Sequence, residues 1–429
     1  MTTLRTRRLM ALTPVLGVLA TLAVAGPTAA VGQPQRPLAP HAVDIISGTG
    51  LYSVNESFDS TPVDYDGDGD MDLWVGYHDQ GGALYQNDGT GHFTRVANNA
   101  WPMKGSTGHA IDRHKCVWAD VDGNGLLDSY CAVGRGSGNS LKPAGANELW
   151  LQKPAGTFTD VGASWGLGDV CGRSHFPAFF NANADALPDL FVGDVVPRPV
   201  AGDPCNDPAN GLPSEESKLF LNQNGTALVD TPGRGIGGNG GELCAQKLDI
   251  NADGRDDLLV CASARPQLYV NQGGGQFVDE AVSRGLTGSY KALVPADLDG
   301  DGNLDLVAIA GAKLFYLRNT GGGNFAKPVV IDTFAKKTYG RAVAVGDVNG
   351  DGRPDIYGLV TNGSSGSNPD DGIYLNQGGL KFTKIPVPSA GGVGGAVEPI
   401  DVDGDGRTEF FVQNGVGLVG PTQLIRVVD

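Results

Sequence analysis

Short apolar runs punctuate this chain, and each follows the same kind of turn. Residues 73–76 (L-W-V-G), 190–193 (L-F-V-G), 258–261 (L-L-V-C), 306–309 (L-V-A-I) and 410–413 (F-F-V-Q) come directly after nine-residue segments rich in acid and small residues. Runs of four or so apolar residues bounded by turn formers predict strands rather than helices. Further on, residues 84–93 (L-Y-Q-N-D-G-T-G-H-F), 268–277 (L-Y-V-N-Q-G-G-G-Q-F) and 373–382 (I-Y-L-N-Q-G-G-L-K-F) read as a third strand ending in a turn. A fourth strand follows, as in 158–167 (F-T-D-V-G-A-S-W-G-L) and 277–286 (F-V-D-E-A-V-S-R-G-L). No stretch after the N-terminus keeps a helical period.

The acidic turn occurs seven times: D-Y-D-G-D-G-D-M-D (64–72), D-V-D-G-N-G-L-L-D (120–128), N-A-N-A-D-A-L-P-D (181–189), D-I-N-A-D-G-R-D-D (249–257), D-L-D-G-D-G-N-L-D (297–305), D-V-N-G-D-G-R-P-D (347–355) and D-V-D-G-D-G-R-T-E (401–409). Successive turns begin 48 to 68 residues apart. Four short strands in a unit of that size predict a propeller blade, so the fold class is all-β, a seven-bladed β-propeller of four-stranded blades. The last repeat stops after its third strand, and residues 42–51 (A-V-D-I-I-S-G-T-G-L) resemble the fourth strands. The N-terminal strand is therefore expected to pair into the last blade, closing the ring and covering an exposed edge.

Oxygen side chains at turn positions 1, 3, 5 and 9, with glycine at 6 for a sharp bend, suit calcium, a hard cation that takes six to eight oxygens. The candidate ligands are Asp64, Asp66, Asp68 and Asp72; Asp120, Asp122, Asn124 and Asp128; Asn181, Asn183, Asp185 and Asp189; Asp249, Asn251, Asp253 and Asp257; Asp297, Asp299, Asp301 and Asp305; Asp347, Asn349, Asp351 and Asp355; and Asp401, Asp403, Asp405 and Glu409. An EF-hand closes at position 12 between helices, whereas these turns close at position 9 and enter a strand. The first, fifth and seventh turns carry four carboxylates and the second, fourth and sixth three. The third has only Asp185 and Asp189, and Ala186 stands where the others have glycine. Up to seven Ca2+ ions are expected, with the 181–189 turn weakest or empty. A single acidic turn would be read as a solvated strand connection, but seven in register exceed what a turn requires.

Strand polarity then separates two faces. The acidic turns all join first to second strands and share one face. The long insertions at 193–218, 133–147, 359–372 and 101–115 fall on the other.

The 429 residues carry 66 glycines, 26 prolines and a net charge of −17, an acidic surface hostile to nucleic acid. Arg5, Arg7 and Arg8, the apolar run near 9–25 and the small residues around Ala25 and Ala30 form a signal-peptide pattern over 1–30. Cleavage is expected after Ala25 or Ala30, a flexible leader over 31–41, and the propeller over 42–429. The apolar run is short for a membrane span. Loss of the three arginines takes the charge to about −20, and seven divalent ions would return it to about −6. Much of the acidity then serves metal.

Six cysteines in an exported chain suggest disulfides. Cys116 and Cys131 flank one turn at matching heights, as do Cys244 and Cys261, which leaves Cys171 and Cys205 for each other on the second face.

The tandem D-x-D-x-D-G-x-x-D turns followed by L-Y-x-N-x-G-x-G-x-F resemble the FG-GAP/VCBS repeat family over residues 42–429. The resemblance implies an integrin-alpha-like calcium-binding β-propeller of a kind common in secreted bacterial proteins and found in some fungal lectins. It also implies calcium turns lying away from the partner-binding face. The leading expectation is a secreted, calcium-stabilised, monomeric binding module that holds an extracellular glycan or protein on the second face. Trp101, Trp150, Trp165 and His175 are candidates for sugar stacking there, with core packing the plain alternative for the tryptophans.

Two other classes stand beside it: a polysaccharide-degrading enzyme on the same scaffold, and a structural extracellular protein. An enzyme needs titratable groups converging in one cleft. His109, His114 and His175 are the candidates, with ordinary surface histidines the simpler reading. Ser164, in G-A-S-W-G, matches a nucleophile elbow, but that motif needs a strand-to-helix turn and this segment aligns with A-V-S-R-G of another blade. G-I-G-G-N-G (235–240) lacks the strand–turn–helix unit of a dinucleotide site.

Overall fold

The computed structural model describes residues 39–428 except 56, 78–79, 98–99, 104–110, 135–145, 155, 168–173, 195–216, 238–241, 263, 336–337, 363–369, 389–390, 392–393 and 416–419. The expected signal segment, the bulk of the leader, and Cys171, Cys205 and His109 therefore lie outside the described residues. Among those described there is no helix, and seven sheets of four antiparallel strands follow one another along the chain. Blade 1 consists of Ser57–Val63, Asp72–Tyr77, Gly81–Asn87 and Phe93–Arg95, paired in chain order. Blades 2 to 6 repeat that order.

Blade 7 has the sequence-distant member. His41–Asp44 pairs antiparallel with Gln423–Val428, with His41 opposite Val428 and Asp44 opposite Ile425. The closing strand is shorter than the 42–51 segment expected, because Ile46 and Leu51 leave the sheet to bury against blade 1. A two-residue pairing of Val54–Asn55 with Gly420–Pro421 adds a second tie between the ends.

Each second strand is buried along almost its whole length, as in Asp128–Gly134 and Asp257–Ala262. A central strand with a neighbouring blade on either face has no solvent side, so its side chains are apolar on both faces. The cores accordingly lie between blades. Seven clusters of buried residues each join two adjacent blades. Leu259 and Leu268 of blade 4, for instance, meet Leu293, Leu306 and Leu317 of blade 5. The last of these interfaces closes the circle, with Ile400 and Phe411 of blade 7 against Leu73 and Val75 of blade 1. An open row of seven blades would have only six such interfaces. The fold is a closed seven-bladed β-propeller.

Cys116 and Cys131 face each other across blade 2 with Cα atoms 4.1 Å apart and form a disulfide. Cys244 and Cys261 do the same in blade 4 at 4.8 Å. The two pairings have the same register, as their matching distances from the turns predict.

Candidate functional site

Every acidic turn connects the first and second strands of its blade, so all seven lie at one end of the ring. The turns share an internal frame. The position-1 aspartate accepts backbone amides from the residues after it: Asp64 from Gly67, Asp68 and Gly69, and Asp297 from Gly300, Asp301 and Gly302. That wrapping needs left-handed backbone at position 6, where Gly69, Gly125, Gly254, Gly302, Gly352 and Gly406 have φ between 79° and 94°. The position-9 acid is buried and accepts two more amides. Asp72 takes Tyr65 N at 3.2 Å and Asn87 N at 2.8 Å. Burial raises these closing carboxylates and the amide bonds offset it only in part. Asp72 and Asp355 rise to about 7 and Asp128, Asp189 and Asp257 to about 6. Acids held so unfavourably at neutral pH gain from a cation beside them.

Four turns bring three carboxylates together, with oxygens all within 4.8 Å: Asp64, Asp66 and Asp72; Asp120, Asp122 and Asp128; Asp297, Asp299 and Asp305; and Asp401, Asp403 and Glu409. These clusters could hold metal ions. The donor set is oxygen throughout, and two of its buried atoms, Asp299 Oδ1 and Asp403 Oδ1, accept no hydrogen bond among the described residues. Both features fit a hard divalent ion.

At position 5, Asp68, Asp301 and Asp405 lie outside the three-carboxylate clusters. Each accepts the backbone amide of position 7 instead, as Asp68 does from Asp70 at 2.9 Å. In turn 4, Asp253 is also taken by Arg255 at 2.5 Å, and in turn 6 Asp351 by Arg353. Asn124 of turn 2 binds the Gln152 carbonyl through its amide nitrogen. In turns 4 and 6, Asn251 and Asn349 hold position 3, so Asp249 and Asp257, or Asp347 and Asp355, have no third carboxylate at that position.

Turn 3 is closed by its own amides. Asn181 Nδ2 donates to the Asp185 carbonyl at 2.5 Å and Asn183 Nδ2 to Asp185 Oδ2 at 2.8 Å. Ala186 stays out of the left-handed region, while Ala184 adopts it at φ 64°.

One element of the site was missed in the sequence. An asparagine at the end of the third strand ties the turns of blades 1, 3, 4, 5 and 6 each to the preceding turn around the ring. Asn87 Nδ2 donates to the carbonyls of Met71 in its own turn and Val402 in turn 7. Asn222, Asn271, Asn319 and Asn376 reach Val121, Ala182, Ile250 and Leu298 of the preceding turns in the same way. The recurring asparagine was visible, but its long-range acceptor was not.

The opposite face corrects two expectations. Trp101, Trp150 and Trp165 are core residues, only 2%, 8% and 8% exposed. Trp101 packs on Trp118 and Phe158 with ring centroids 5.7 and 5.0 Å apart, so it cannot stack on a sugar. His114 is not a surface histidine. It bulges from the first strand of blade 2, lies buried over Gly134, contacts His175 of blade 3 with ring centroids 3.4 Å apart, and sits 3.1 Å from Asp112. The exposed large side chains at this end include Met103 and Tyr339, with Arg341 exposed two residues on. Ser164 donates to the Val161 carbonyl inside a turn, as Ser283 does to Glu280 in the matching segment, and no helix follows.

A third cluster lies on the innermost strands. Lys115 Nζ of blade 2 is 3.1 Å from Asp59 of blade 1 and 3.4 Å from Glu398 of blade 7. Burial pushes Glu398 up to about 7 and raises Asp59. Burial also lowers Lys115, but the two carboxylates more than offset it and hold it charged.

Fold and turns together define a closed seven-bladed propeller whose first-to-second strand connections are acidic turns at one end. The chain carries FG-GAP repeats: the model of the FG-GAP-like repeat matches residues 64–131, 249–308 and 297–358. No curated protein matches the sequence. Among solved structures the chain is similar to an Agrocybe aegerita lectin that recognises non-reducing terminal N-acetylglucosamine (17% identity, 77% of this chain and 80% of that one, TM-score 0.48). It is also similar to BBS1N in complex with ARL6DN (11%, 90% and 96%, 0.48) and to the Photorhabdus luminescens Tc holotoxin pore (17%, 91% and 14%, 0.40). An FG-GAP propeller is a scaffold suited to binding a ligand, and the disulfides are compatible with an extracellular protein. Among the described residues no helix is long and apolar enough to cross a membrane.

Proposed function

We propose that this protein is a secreted, monomeric binding module, stabilised by calcium in its acidic turns, that holds an extracellular glycan or protein on the face opposite those turns. Residues 1–30 serve as the signal segment and 31–40 as a leader, since His41 already pairs into blade 7. The observation that carries the reading is the separation of the two ends. The acidic turns occupy one rim, while exposed Met103 and, at the start of the strand Tyr339–Gly346, exposed Tyr339 and Arg341 lie toward the other. Bound calcium would join oxygens of positions 1, 3 and 9 and cancel their mutual repulsion. The chain's own part is to hold those oxygens in place through the turn amides and the asparagine ties. Tyr339, rather than the buried tryptophans, offers an aromatic surface for a sugar, with Arg341 beside it to meet a polar or acidic group.

The test is a glycan array and a polysaccharide-depolymerisation screen on the mature chain, with and without chelator. Calcium-dependent binding without turnover supports the proposal, and turnover overturns it. One observation favours glycan cleavage as a second reading: Asp59, Glu398 and Lys115 converge on the inner strands with displaced acidities. Under that reading Glu398→Gln abolishes a depolymerising activity that the unaltered chain shows.

A further inference from the structure

One position on each third strand stands opposite the closing acid. Pairing of Leu306 with Leu317 places Arg318 across from Asp305, and pairing of Phe410 with Ile425 places Arg426 across from Glu409. The same position is Gln86 in blade 1 and an aliphatic residue in the other four: Leu151, Leu221, Val270 and Leu375. The polar residues therefore fall on the three turns with four carboxylates, and at this position only turns 5 and 7 carry a charge; Lys153, Arg255 and Arg353 approach Asp122, Asp253 and Asp351 of turns 2, 4 and 6 from other positions.

Both guanidinium groups enter their acid clusters. Arg318 Nε is 2.7 Å from Asp299 Oδ2, and a terminal nitrogen is 3.2 Å from Asp301 Oδ2. Arg426 Nε is 2.6 Å from Glu409 Oε1, and a terminal nitrogen is 2.7 Å from Asp403 Oδ2. In turn 1 the corresponding contact is neutral, Gln86 Nε2 to Asp66 Oδ2 at 2.6 Å. An arginine is always charged, and its planar fork holds carboxylates in place.

Resting on the calcium reading above, we infer that Arg318 and Arg426 are resident counter-cations that set an order among the turns. They neutralise the richest acid clusters without metal and make turns 5 and 7 weaker calcium sites than turn 1, despite equal carboxylate counts. A divalent ion entering there meets a unit positive charge within a few ångströms, or must first displace it, and either lowers affinity by about tenfold or more. Carboxylate number alone would rank the three turns as equals. The strand across the sheet separates them.

The experiment is calcium titration calorimetry on the full mature chain and on Arg318→Gln, Arg426→Gln and the double variant, with folding checked by circular dichroism. Each single substitution is expected to tighten one site about tenfold or more, and the double variant two. Adding Asp297→Asn to Arg318→Gln should abolish that gain, which assigns it to turn 5. Arg318→Lys retains the charge and should keep the weak affinity, and it stands in if the glutamine variant does not fold. Isotherms that Arg318→Gln and Arg426→Gln leave unchanged or weaken, with the unaltered chain still binding calcium, overturn this inference alone. A flat isotherm for every chain overturns the calcium reading together with it.

Discussion

The side-chain amide of Asn87 donates to the carbonyl of Val402, 315 residues away along the chain and 2.9 Å away in space. It links the first acidic turn to the last, across the junction where the ring must close. The same nitrogen also donates to Met71, so one buried group serves two carbonyls. Asn87→Ala leaves both acceptors unsatisfied and is expected to destabilise the fold by about 1–3 kcal/mol. Urea unfolding of the variant beside the unaltered chain measures this, and a change within error would show that the tie does not hold the ring.

Calcium removal should lower the melting temperature, since a ligand that binds only the folded state stabilises it by mass action. In the chelator-treated chain the close carboxylates of turn 1 repel one another. Asp64→Asn should shrink the calcium-dependent part of the melting shift. Asp185→Asn should leave it nearly unchanged, because turn 3 is closed by Asn181 and Asn183. Scanning calorimetry with and without EDTA reads both.

The two described disulfides close loops of 15 and 17 residues. Loop closure of that size constrains the unfolded chain by about 3 kcal/mol. Replacing Cys116 and Cys131 together with alanine should cost roughly that amount, measured by denaturant unfolding under oxidising conditions.

Glu398 yields a pH prediction. Its carboxyl is pushed from an ordinary 4.5 to about 7 by burial, so the folded chain holds that proton more tightly than the unfolded one. The stabilisation from this proton is complete below about 4.5 and is lost as pH rises through about 7. Between pH 5 and 8 the unaltered chain should therefore lose stability relative to Glu398→Gln, by about 2–3 kcal/mol. Melting curves of both proteins in saturating calcium isolate the difference. Parallel pH profiles would show that Lys115 keeps Glu398 ionised throughout.

Trp101 and Tyr339 separate packing from recognition. Trp101→Ala should cost about 3–5 kcal/mol, the usual range for removing a buried tryptophan from a packed core. Tyr339→Ala, on an exposed side chain, should change stability by less than about 0.5 kcal/mol and weaken ligand binding. Array binding and thermal melts on the two variants test this. Tight binding retained by Tyr339→Ala would move the ligand elsewhere.

The spacing of the acidic turns and the apolar runs after them were enough to read the propeller, the blade count, the strand order within each blade and the pairings of Cys116 with Cys131 and Cys244 with Cys261. These are local properties. A strand that leaves a turn pairs with the strand that entered it, so distance from the turn translates directly into height on the sheet. The low carboxylate count of turn 3 was also legible, because the asparagines and Ala186 lie inside the motif itself.

Contacts between blades were not legible, since nothing in a linear pattern says which side chains two sheets present to each other. That is why the tryptophans looked like a sugar platform and proved to be core, and why His114 looked like a surface residue and lies buried against His175. Asn87 and its counterparts read as ordinary turn formers until the neighbouring turn came into reach. Arg318 and Arg426 stand too far along the chain from their turns to be assigned to them, and only pairing across the sheet carries their charge to the acids. Within a blade, hydrogen-bond register converts sequence distance into spatial distance. Between blades, and between a turn and the strand two places along, only the closed ring decides what meets.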